Sequence, residues 1–548
     1  MAGPCCEGTE SATTGEEEGR FGLHPVVSDL SQRSPRGEML SCLVWASVPT
    51  RADAASRHGV SYVVGSLESP TRATTRHHDR ASLTTIGRQM YTHPRLLHCA
   101  AAFLLILSGC ASSYDSGLIE RRTRQLYDSA QAPAPEGDSH ETASARSELL
   151  EQSNLEQYVA IGLRHSAQLR AAFETWLAST ERVEQVSSLP DPKLSYAEFI
   201  EQVQTRTGSQ NRRIGLSQAF PWPGELSTKA KLATRMSEAA WERVEQTRLA
   251  VTRHIEEAFH EYAFLARELA ITQELLQLVK GFEPVVQGRI RAGAGQDGLL
   301  RLQVEIGRLE DDLASMQRRR PALSSRLADA MNLPLEAAAS LPWPELEVPE
   351  LVPLLSAAEL IELALDASPK LRVLTRQLEA ARISEELAAY KRRPDFAARV
   401  DYIQTGEALN PSTPGSGDDP LFLGLSMSLP VWRSSYSAAS REARHSVRAA
   451  NARLDDARST LNADITSEAY RVDDAQRRIK LYRESLIPRA RESLQLTTGS
   501  YRAGGASVLE LLDSERTLLD FELSHWRACS AYLKGDARLK ELLGGAVQ

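Results

Sequence analysis

The chain has 548 residues, six cysteines and a formal net charge of −8, with 42% hydrophobic and 25% charged residues. This mild acidity argues against nucleic-acid binding as the main task, because that task usually needs a basic surface. Beyond residue 110 no stretch is apolar over the roughly 20 residues that a membrane-spanning helix needs, so passage through a membrane there would have to use strands.

The first informative signal lies well inside the chain. A short apolar run, residues 96–107, follows Arg95 as the apolar core of a secretory signal does, and it ends in Leu107-Ser108-Gly109-Cys110. These four residues resemble a bacterial lipobox, which implies cleavage before Cys110 and a covalent lipid on its thiol. The alternative is an ordinary signal peptide with a chance cysteine. Ala111 after the cysteine, in place of Asp, resembles the pattern for sorting to the outer membrane.

A secretory signal normally opens a chain, and Met90 stands at the right distance before the apolar run. We therefore expect residues 1–89 to be a non-native or disordered extension, 90–109 a lipoprotein signal peptide and 110–145 a flexible tether. Beyond Cys110 the sequence holds one more cysteine, Cys529, so no intramolecular disulfide is expected.

The next part of the chain predicts a helix, two strands, a very long helix and a shorter helix. The predicted ranges are 147–187, 193–203, 211–221, 226–291 and a last helix that ends near residue 331. Pro190 and Pro192 follow the first helix, which they cannot continue. The long helix has coiled-coil spacing, and roughly 65 residues give a rod of roughly 100 Å. Its apolar stripe comprises Val244, Val251, Ile255, Ala258, Tyr262, Leu265 and Leu269.

The remaining part predicts the same order of elements. The ranges are 356–392 for a helix, 395–405 and 420–431 for strands, 434–501 for a long helix, and a final helix. The final helix has a similar apolar stripe, formed by Leu512, Leu519, Leu523, Trp526 and Leu533. Pro284 and Pro488 should kink the two long helices near the chain reversals.

Three pairs of similar segments recur in the same order and at nearly one offset. The first pair is Ser166-Ala167-Gln168-Leu169 and Ser368-Pro369-Lys370-Leu371. The second pair is Gly215-Leu216-Ser217 and Gly424-Leu425-Ser426, and the third is Arg291-Ala292-Gly293 and Arg502-Ala503-Gly504. Such recurrence indicates a tandem duplication. We divide this part of the chain into a first repeat at 146–331, a connector at 332–355 and a second repeat at 356–545.

The predicted strands alternate between apolar and polar residues. In the last strand Leu423, Leu425, Met427 and Leu429 alternate with Phe422, Gly424, Ser426 and Ser428. This pattern suits a strand of a membrane barrel, and it equally suits a half-buried soluble sheet. Four strands cannot seal their edges in lipid, so closure of a barrel would need several chains.

Over about 150–545 the sequence resembles the TolC-like outer-membrane efflux channels. The segments that carry the resemblance are Leu189-Pro190-Asp191-Pro192-Lys193-Leu194, residues 215–222, residues 424–432, and Tyr501-Arg502-Ala503-Gly504 followed by Leu511-Leu512-Asp513. The resemblance implies a mainly α fold with a small β part, in which a homotrimer builds a twelve-stranded β-barrel and a long helical periplasmic tunnel.

The same resemblance implies a passive channel, not an enzyme, that works with a periplasmic adaptor protein and an inner-membrane pump. The segments 189–192 and 220–224 are most similar to the branch paired with heavy-metal efflux pumps, so heavy-metal cations are the expected cargo. Export of drugs, or of peptides by a type I system, is the alternative within the family.

Two groups of candidate functional residues follow from the resemblance. The reversals correspond to the tips where adaptors dock, and the alternative is that they are plain turns; their residues are Arg291, Ala292, Gly293, Tyr501, Arg502, Ala503 and Gly504. Glu510 and Asp513 correspond to acidic residues at the tunnel entrance, where rings of charge would favour cations. For Glu510 and Asp513 the alternative is that they lie on a solvated helix face. The first repeat has Leu299 at the position of Glu510, so the resemblance does not extend an entrance role to that repeat.

No catalytic or metal-binding pattern is found in the sequence. His254, Glu256, Glu257 and His260 look metal-like, but histidines six residues apart on a helix lie on different faces. No cofactor is expected beyond the lipid on Cys110. Two other classes of protein remain as alternatives: a periplasmic adaptor, which should carry a lipoyl-like β domain, and a non-conducting coiled-coil lipoprotein, which leaves the strands unexplained.

Overall fold

The computed structural model describes residues 154–545. Cys110 and the segments predicted at 1–89, 90–109 and 110–145 therefore lie outside the described residues. The first repeat comprises α1 Leu155–His165, α2 Ala167–Ser187, β1 Lys193–Thr205, β2 Gly208–Phe220, α3 Glu225–Arg291 and α4 Asp297–Ala330. The second comprises α6 Ala357–Ala367, α7 Pro369–Tyr390, β3 Phe396–Thr405, β4 Leu421–Met427, α8 Arg433–Leu481, a π-helical turn Tyr482–Leu486, α9 Ile487–Ala503 and α10 Val508–Leu542.

The helix that opens each repeat is divided in two, so the expectation of single helices at 147–187 and 356–392 is wrong. Ser166 and Ser368 stand at the breaks with extended backbone conformations. The Ser166 hydroxyl accepts a hydrogen bond from the Leu169 amide at 3.1 Å and so caps α2. Pro369 occupies the first position of α7, where its missing N–H costs nothing.

The two long helices differ in continuity. α3 runs for 67 residues through Pro284 without a break. The corresponding helix of the second repeat changes to a π-helical turn at Tyr482–Leu486, just before Pro488. Proline lacks the N–H that would bond the carbonyl four residues earlier, and its ring crowds that carbonyl. The wider turn relieves this conflict, and it explains why the second long helix is not the single segment predicted at 434–501.

The helices pack along the predicted apolar stripes. In α3, all but one of the predicted stripe residues are buried, and Leu269 is half-buried. The connector at 332–355 is mostly without regular structure, with one short helix, α5, at Leu335–Ala338. Its Trp343 stacks on buried Tyr262 of α3 with ring centroids 4.8 Å apart. The connector thus covers the first repeat's core and is not a free linker.

None of the helices within 154–545 is long and apolar enough to cross a membrane.

A buried acidic pair lies where α4 packs against α10. Glu305 of α4 accepts hydrogen bonds from Arg308 at 2.7 Å and from Arg516 Nε at 3.1 Å. Burial alone would raise the pKa of Glu305, but these bonds outweigh it and hold the pKa below its ordinary value. Glu515 is also buried, and its Oε1 has no hydrogen-bond partner within the described residues. Burial, with the charge of Glu305, raises the pKa of Glu515 to about 8.

We predict that Glu515→Gln stabilises the protein increasingly as pH rises. The unfolded chain ionises this carboxyl near pH 4.3, whereas the folded chain retains the proton up to about pH 8. The unfolded state therefore binds fewer protons between these values, and the stability of the wild type falls with pH there. The difference in thermal midpoint between the variant and the wild type, followed by circular dichroism from pH 4 to 9, should grow up to about pH 8 and then level off.

Asp520→Asn, which removes an exposed carboxylate from the same helix, is the matched control. A Glu515→Gln difference that stays constant over this range would contradict the assignment of a buried, protonated Glu515.

Candidate functional site: the strand sheet and the helical tips

The four strands form one antiparallel sheet in the order β1-β2-β3-β4. Pairing of β2 with β3 joins the hairpins of the two repeats, while β1 and β4 each pair on one side only within the described residues. β4 ends at Met427, short of the predicted 431. Ser428 still bonds the Asp395 carbonyl at 2.9 Å, but Pro430 offers no N–H to continue the ladder. The described chain therefore presents two open strand edges.

The two faces of the sheet have opposite character. Residues directly opposite in the register share a face, which allows the faces to be read across all four strands. The apolar face comprises Leu194, Tyr196, Ile214, Leu216, Phe220, Phe396, Val400, Tyr402, Leu421, Leu423, Leu425 and Met427. Eight of these twelve side chains are exposed in the single chain, with Leu194 75% and Leu425 84% exposed, and the other four are half-buried. The other face comprises mainly serine, glycine, alanine and charged residues.

Each predicted tip is a tight reversal built on a left-handed glycine. Gly293 follows α3 with φ of 102°, and Gly504 follows α9 with φ of 87°. In the second tip the Gly505 amide bonds the Ser500 carbonyl at 2.9 Å, which closes the helix end. Glycine is required because a Cβ in this conformation collides with the following carbonyl.

Arg289, which no pattern in the sequence singles out, ties the two tips together. Its Nη1 donates to the Tyr501 carbonyl at 3.3 Å and to the Ala506 carbonyl at 3.1 Å. Its guanidinium group also lies 4.6 Å from the centre of the Tyr501 ring. Spacing along the chain could not reveal this contact, because the partners are 212 residues apart.

The predicted tip residues divide into two groups by exposure. Tyr501 is buried and supports its tip from inside. The exposed members are Arg291, Ala292, Gly293, Arg502, Ala503 and Gly504. Beside Arg289 an open cleft of about 320 Å³ separates the two reversals; its lining includes Val286, Gly298, Tyr501 and Val508. The exposed groups are available for contact with another protein, and adaptor docking there stays a prediction.

Glu510 in the first turn of α10 and Asp513 in the second are both exposed. The Glu510 carboxylate accepts hydrogen bonds from the Ser507 amide at 2.7 Å and hydroxyl at 3.1 Å, while the Ser507 hydroxyl accepts from the Glu510 amide. This capping box fixes the start of α10 and holds the pKa of Glu510 below its ordinary value. Glu510 therefore has a structural task whether or not it lines an entrance.

The histidines considered as metal ligands lie on different sides of α3. His254 is exposed, whereas His260 is buried, and burial lowers the pKa of His260 to about 4 with Lys534 and Lys540 contributing. Glu257 is held by Arg253 and Arg538. Over residues 154–545 no group of three or more His, Cys, Asp or Glu is arranged to hold a metal ion. Cys529 is a buried free thiol.

Comparison with known protein families and sequences gives one match. Residues 360–545 match the family model described as outer membrane efflux protein. No curated protein sequence matches the chain.

Solved outer-membrane channels share the fold. The outer membrane protein VceC of Vibrio cholerae is 19% identical, with a TM-score of 0.61 over 72% of this chain and 97% of its own. The outer-membrane channel OprN is 18% identical, with a TM-score of 0.62 over 76% of this chain and 95% of its own. The open state of the MtrE channel of Neisseria gonorrhoeae is 18% identical, with a TM-score of 0.57 over 71% of this chain and 89% of its own.

The likeness to these structures extends over both repeats, and the family model covers the second. Proteins of this family are passive conduits and not enzymes. With its duplicated helices, its four-stranded sheet and its paired tips, the chain shares the fold of these outer-membrane channels, and its residues 360–545 match the outer membrane efflux protein family.

Proposed function

We propose that this protein is the subunit of a trimeric outer-membrane channel that serves as the exit duct of a three-part efflux system. The observation that carries the proposal is the sheet, which combines an uncovered apolar face with two open edges. In lipid every backbone polar group needs an internal partner, so such a sheet is stable there only if further copies pair with its edges. Three copies would give the twelve strands of the family's barrel.

The opposite end of the molecule would then lie in the periplasm. The exposed tip residues Arg291 to Gly293 and Arg502 to Gly504 would contact a periplasmic adaptor protein, which links the channel to an inner-membrane pump. Arg289 supports this assignment, because it holds the two reversals of one chain as a single surface. The channel itself would be passive, with energy supplied by the pump.

Anchoring to the outer membrane is proposed from the sequence. Leu107-Ser108-Gly109-Cys110 resembles a lipobox and Ala111 follows it, so the mature chain would begin at Cys110 with a lipid on its thiol. This lipid would add a second attachment to the membrane that the strands are proposed to enter.

Heavy-metal cations are the cargo that we propose first, from the similarity of the segments 189–192 and 220–224 to that branch. Drugs and type I peptide substrates remain the alternatives. A non-conducting structural lipoprotein is the alternative outside the class, but it assigns no use to the exposed apolar face of the sheet.

Purified full-length protein is expected to form trimers that resist detergent on unboiled gels and to conduct ions in planar bilayers. Both follow from closing the sheet with other copies. A stable species that never conducts, under conditions where a known channel does, would favour the structural lipoprotein and contradict the proposal.

We predict that Glu510→Ala combined with Asp513→Ala lowers the preference of the channel for cations. A unit charge roughly 8 Å from a passing ion changes the local ion concentration about twofold in water, and the proposed trimer would lose six charges. The measurement is the reversal potential across a bilayer that separates two potassium chloride concentrations.

Ser507→Ala is the matched control for this variant, because it removes the hydroxyl of the capping box but keeps both carboxylates. Loss of the cap costs about 1 kcal/mol of stability without a change of charge. If Ser507→Ala alters selectivity as much as the double variant does, or if the double variant leaves it unchanged, the two carboxylates do not line the entrance.

Growth of a deletion strain tests the cargo. We expect increased sensitivity to divalent metals, copper or silver, and a normal response to hydrophobic drugs. Complementation with the wild-type chain should restore growth. Sensitivity to drugs alone would reject heavy-metal cations as the cargo while leaving the channel itself in place.

A further inference from the structure

An ionic cluster crosses the polar face of the sheet at the junction of the two repeats. Asp401 of β3 has no solvent-exposed side-chain surface. Its carboxylate accepts from Arg213 of β2 through Nε at 3.1 Å and Nη2 at 2.8 Å, and from Arg399 through Nε at 2.9 Å. The arginine side chains remain 36% and 43% exposed. The cluster thus has a hidden negative centre and two accessible cations.

Gly215 provides the space for this arrangement. It lies directly opposite Asp401 in the β2–β3 register. A Cβ at this position would lie 2.2 Å from Asp401 Oδ1 and 2.7 Å from the Ser195 hydroxyl, both too close for a real contact. The glycine in the first copy of the Gly-Leu-Ser segment is therefore explained by the cluster, which the sequence pattern alone does not reveal.

The charges of the sheet are unequally divided between its faces. The polar face has Lys193, Arg213 and Arg399 against Asp401, which leaves two positive charges in the paired part of the strands. On the apolar face Glu198 lies opposite Arg212, so the charges balance there. Within the paired strands, the surplus positive charge therefore belongs to the face that points away from the apolar side chains.

We propose that the cluster of Arg213, Asp401 and Arg399 is an anion-selecting element in the strand section of the pore. This rests on the proposed function, in which the apolar face meets lipid and the polar face lines the lumen. Two arginines and one aspartate leave one positive charge per chain, and guanidinium groups match carboxylate and phosphate groups in shape and charge. Small carboxylates and phosphates are the class of solute that the cluster favours.

The location of the cluster in the sheet sets it apart from the acidic residues proposed for the entrance. Glu510 and Asp513 lie at the start of α10, next to the helical tips, whereas the cluster lies among the strands. A solute would meet negative charge in the entrance and positive charge in the strand section. Cations are therefore favoured in the first zone and meet a small electrostatic barrier in the second, which slows a cation cargo without excluding it, while anions are favoured in the second.

The test uses two variants with opposite expected effects. Arg399→Gln leaves one arginine facing Asp401, so the cluster becomes neutral and the chloride-to-potassium permeability ratio should fall. Asp401→Asn leaves both arginines, so the cluster gains a charge and the same ratio should rise. A unit charge roughly 8 Å from a passing ion changes the local ion concentration about twofold, and each variant changes three such charges in the proposed trimer, so we expect a shift of at least about twofold. Reversal potentials are measured in low salt, where screening is weak.

Arg212→Gln is the matched control for Arg399→Gln, because it also removes one positive charge. Arg212 is next to Arg213 in β2 but lies on the opposite face of the sheet. This control should leave the permeability ratio unchanged. Opposite shifts in the two cluster variants, with no shift in the control, support the proposal. Equal shifts in Arg399→Gln and Arg212→Gln, shifts of one sign in both cluster variants, or no shift at all would overturn it.

The result also separates this inference from the proposed function. A wild-type protein that forms no conducting species contradicts the channel and the cluster's role together. A conducting wild type whose selectivity ignores the charge of the cluster contradicts the inference alone. Trimer formation on unboiled gels checks that each variant assembles, and the conservative Arg399→Lys should retain the wild-type ratio.

Discussion

Pairing of β2 with β3 is the constraint on which the rest of the structure depends. The ladder runs from Gln210 against Thr405 to Phe220 against Phe396, so it joins the hairpins of two repeats that are far apart in sequence. Because a shift by one residue would exchange the two faces, the register must be held in place. The Asp401 side chain occupies the space left by the missing side chain of Gly215 and accepts a hydrogen bond from Arg213. This polar contact between the repeats forms only in the observed register.

Features with a local cause could be predicted from the sequence. The strands alternate with a period of two, the long helices have a regular apolar stripe, and the reversals contain glycine at Gly293 and Gly504, where the backbone adopts positive φ. Each of these patterns depends on residues within a few positions of one another. The duplication strengthens these predictions, since each element occurs twice in the sequence.

Features that depend on distant partners, or on a single residue within a regular stretch, could not be predicted in the same way. The helix breaks at Ser166 and Ser368 interrupt otherwise helical segments, and serine is compatible with either conformation. Arg289 finds its acceptors 212 and 217 residues away, and Glu305 finds Arg516 at a separation of 211. In the candidate site the exposure of Glu510 could be expected from the sequence, whereas its bond to Ser507 became clear only from the start of α10.

The π-helical turn before Pro488 has a consequence for symmetry. Duplication gives the chain two long helices in equivalent places, but α3 is continuous while its counterpart contains one widened turn. A closed ring made from copies of this chain therefore alternates regular and widened helices around its circumference. Such a ring can have rotational symmetry equal to the number of its chains but never twice that number, even though its helices are twice as numerous.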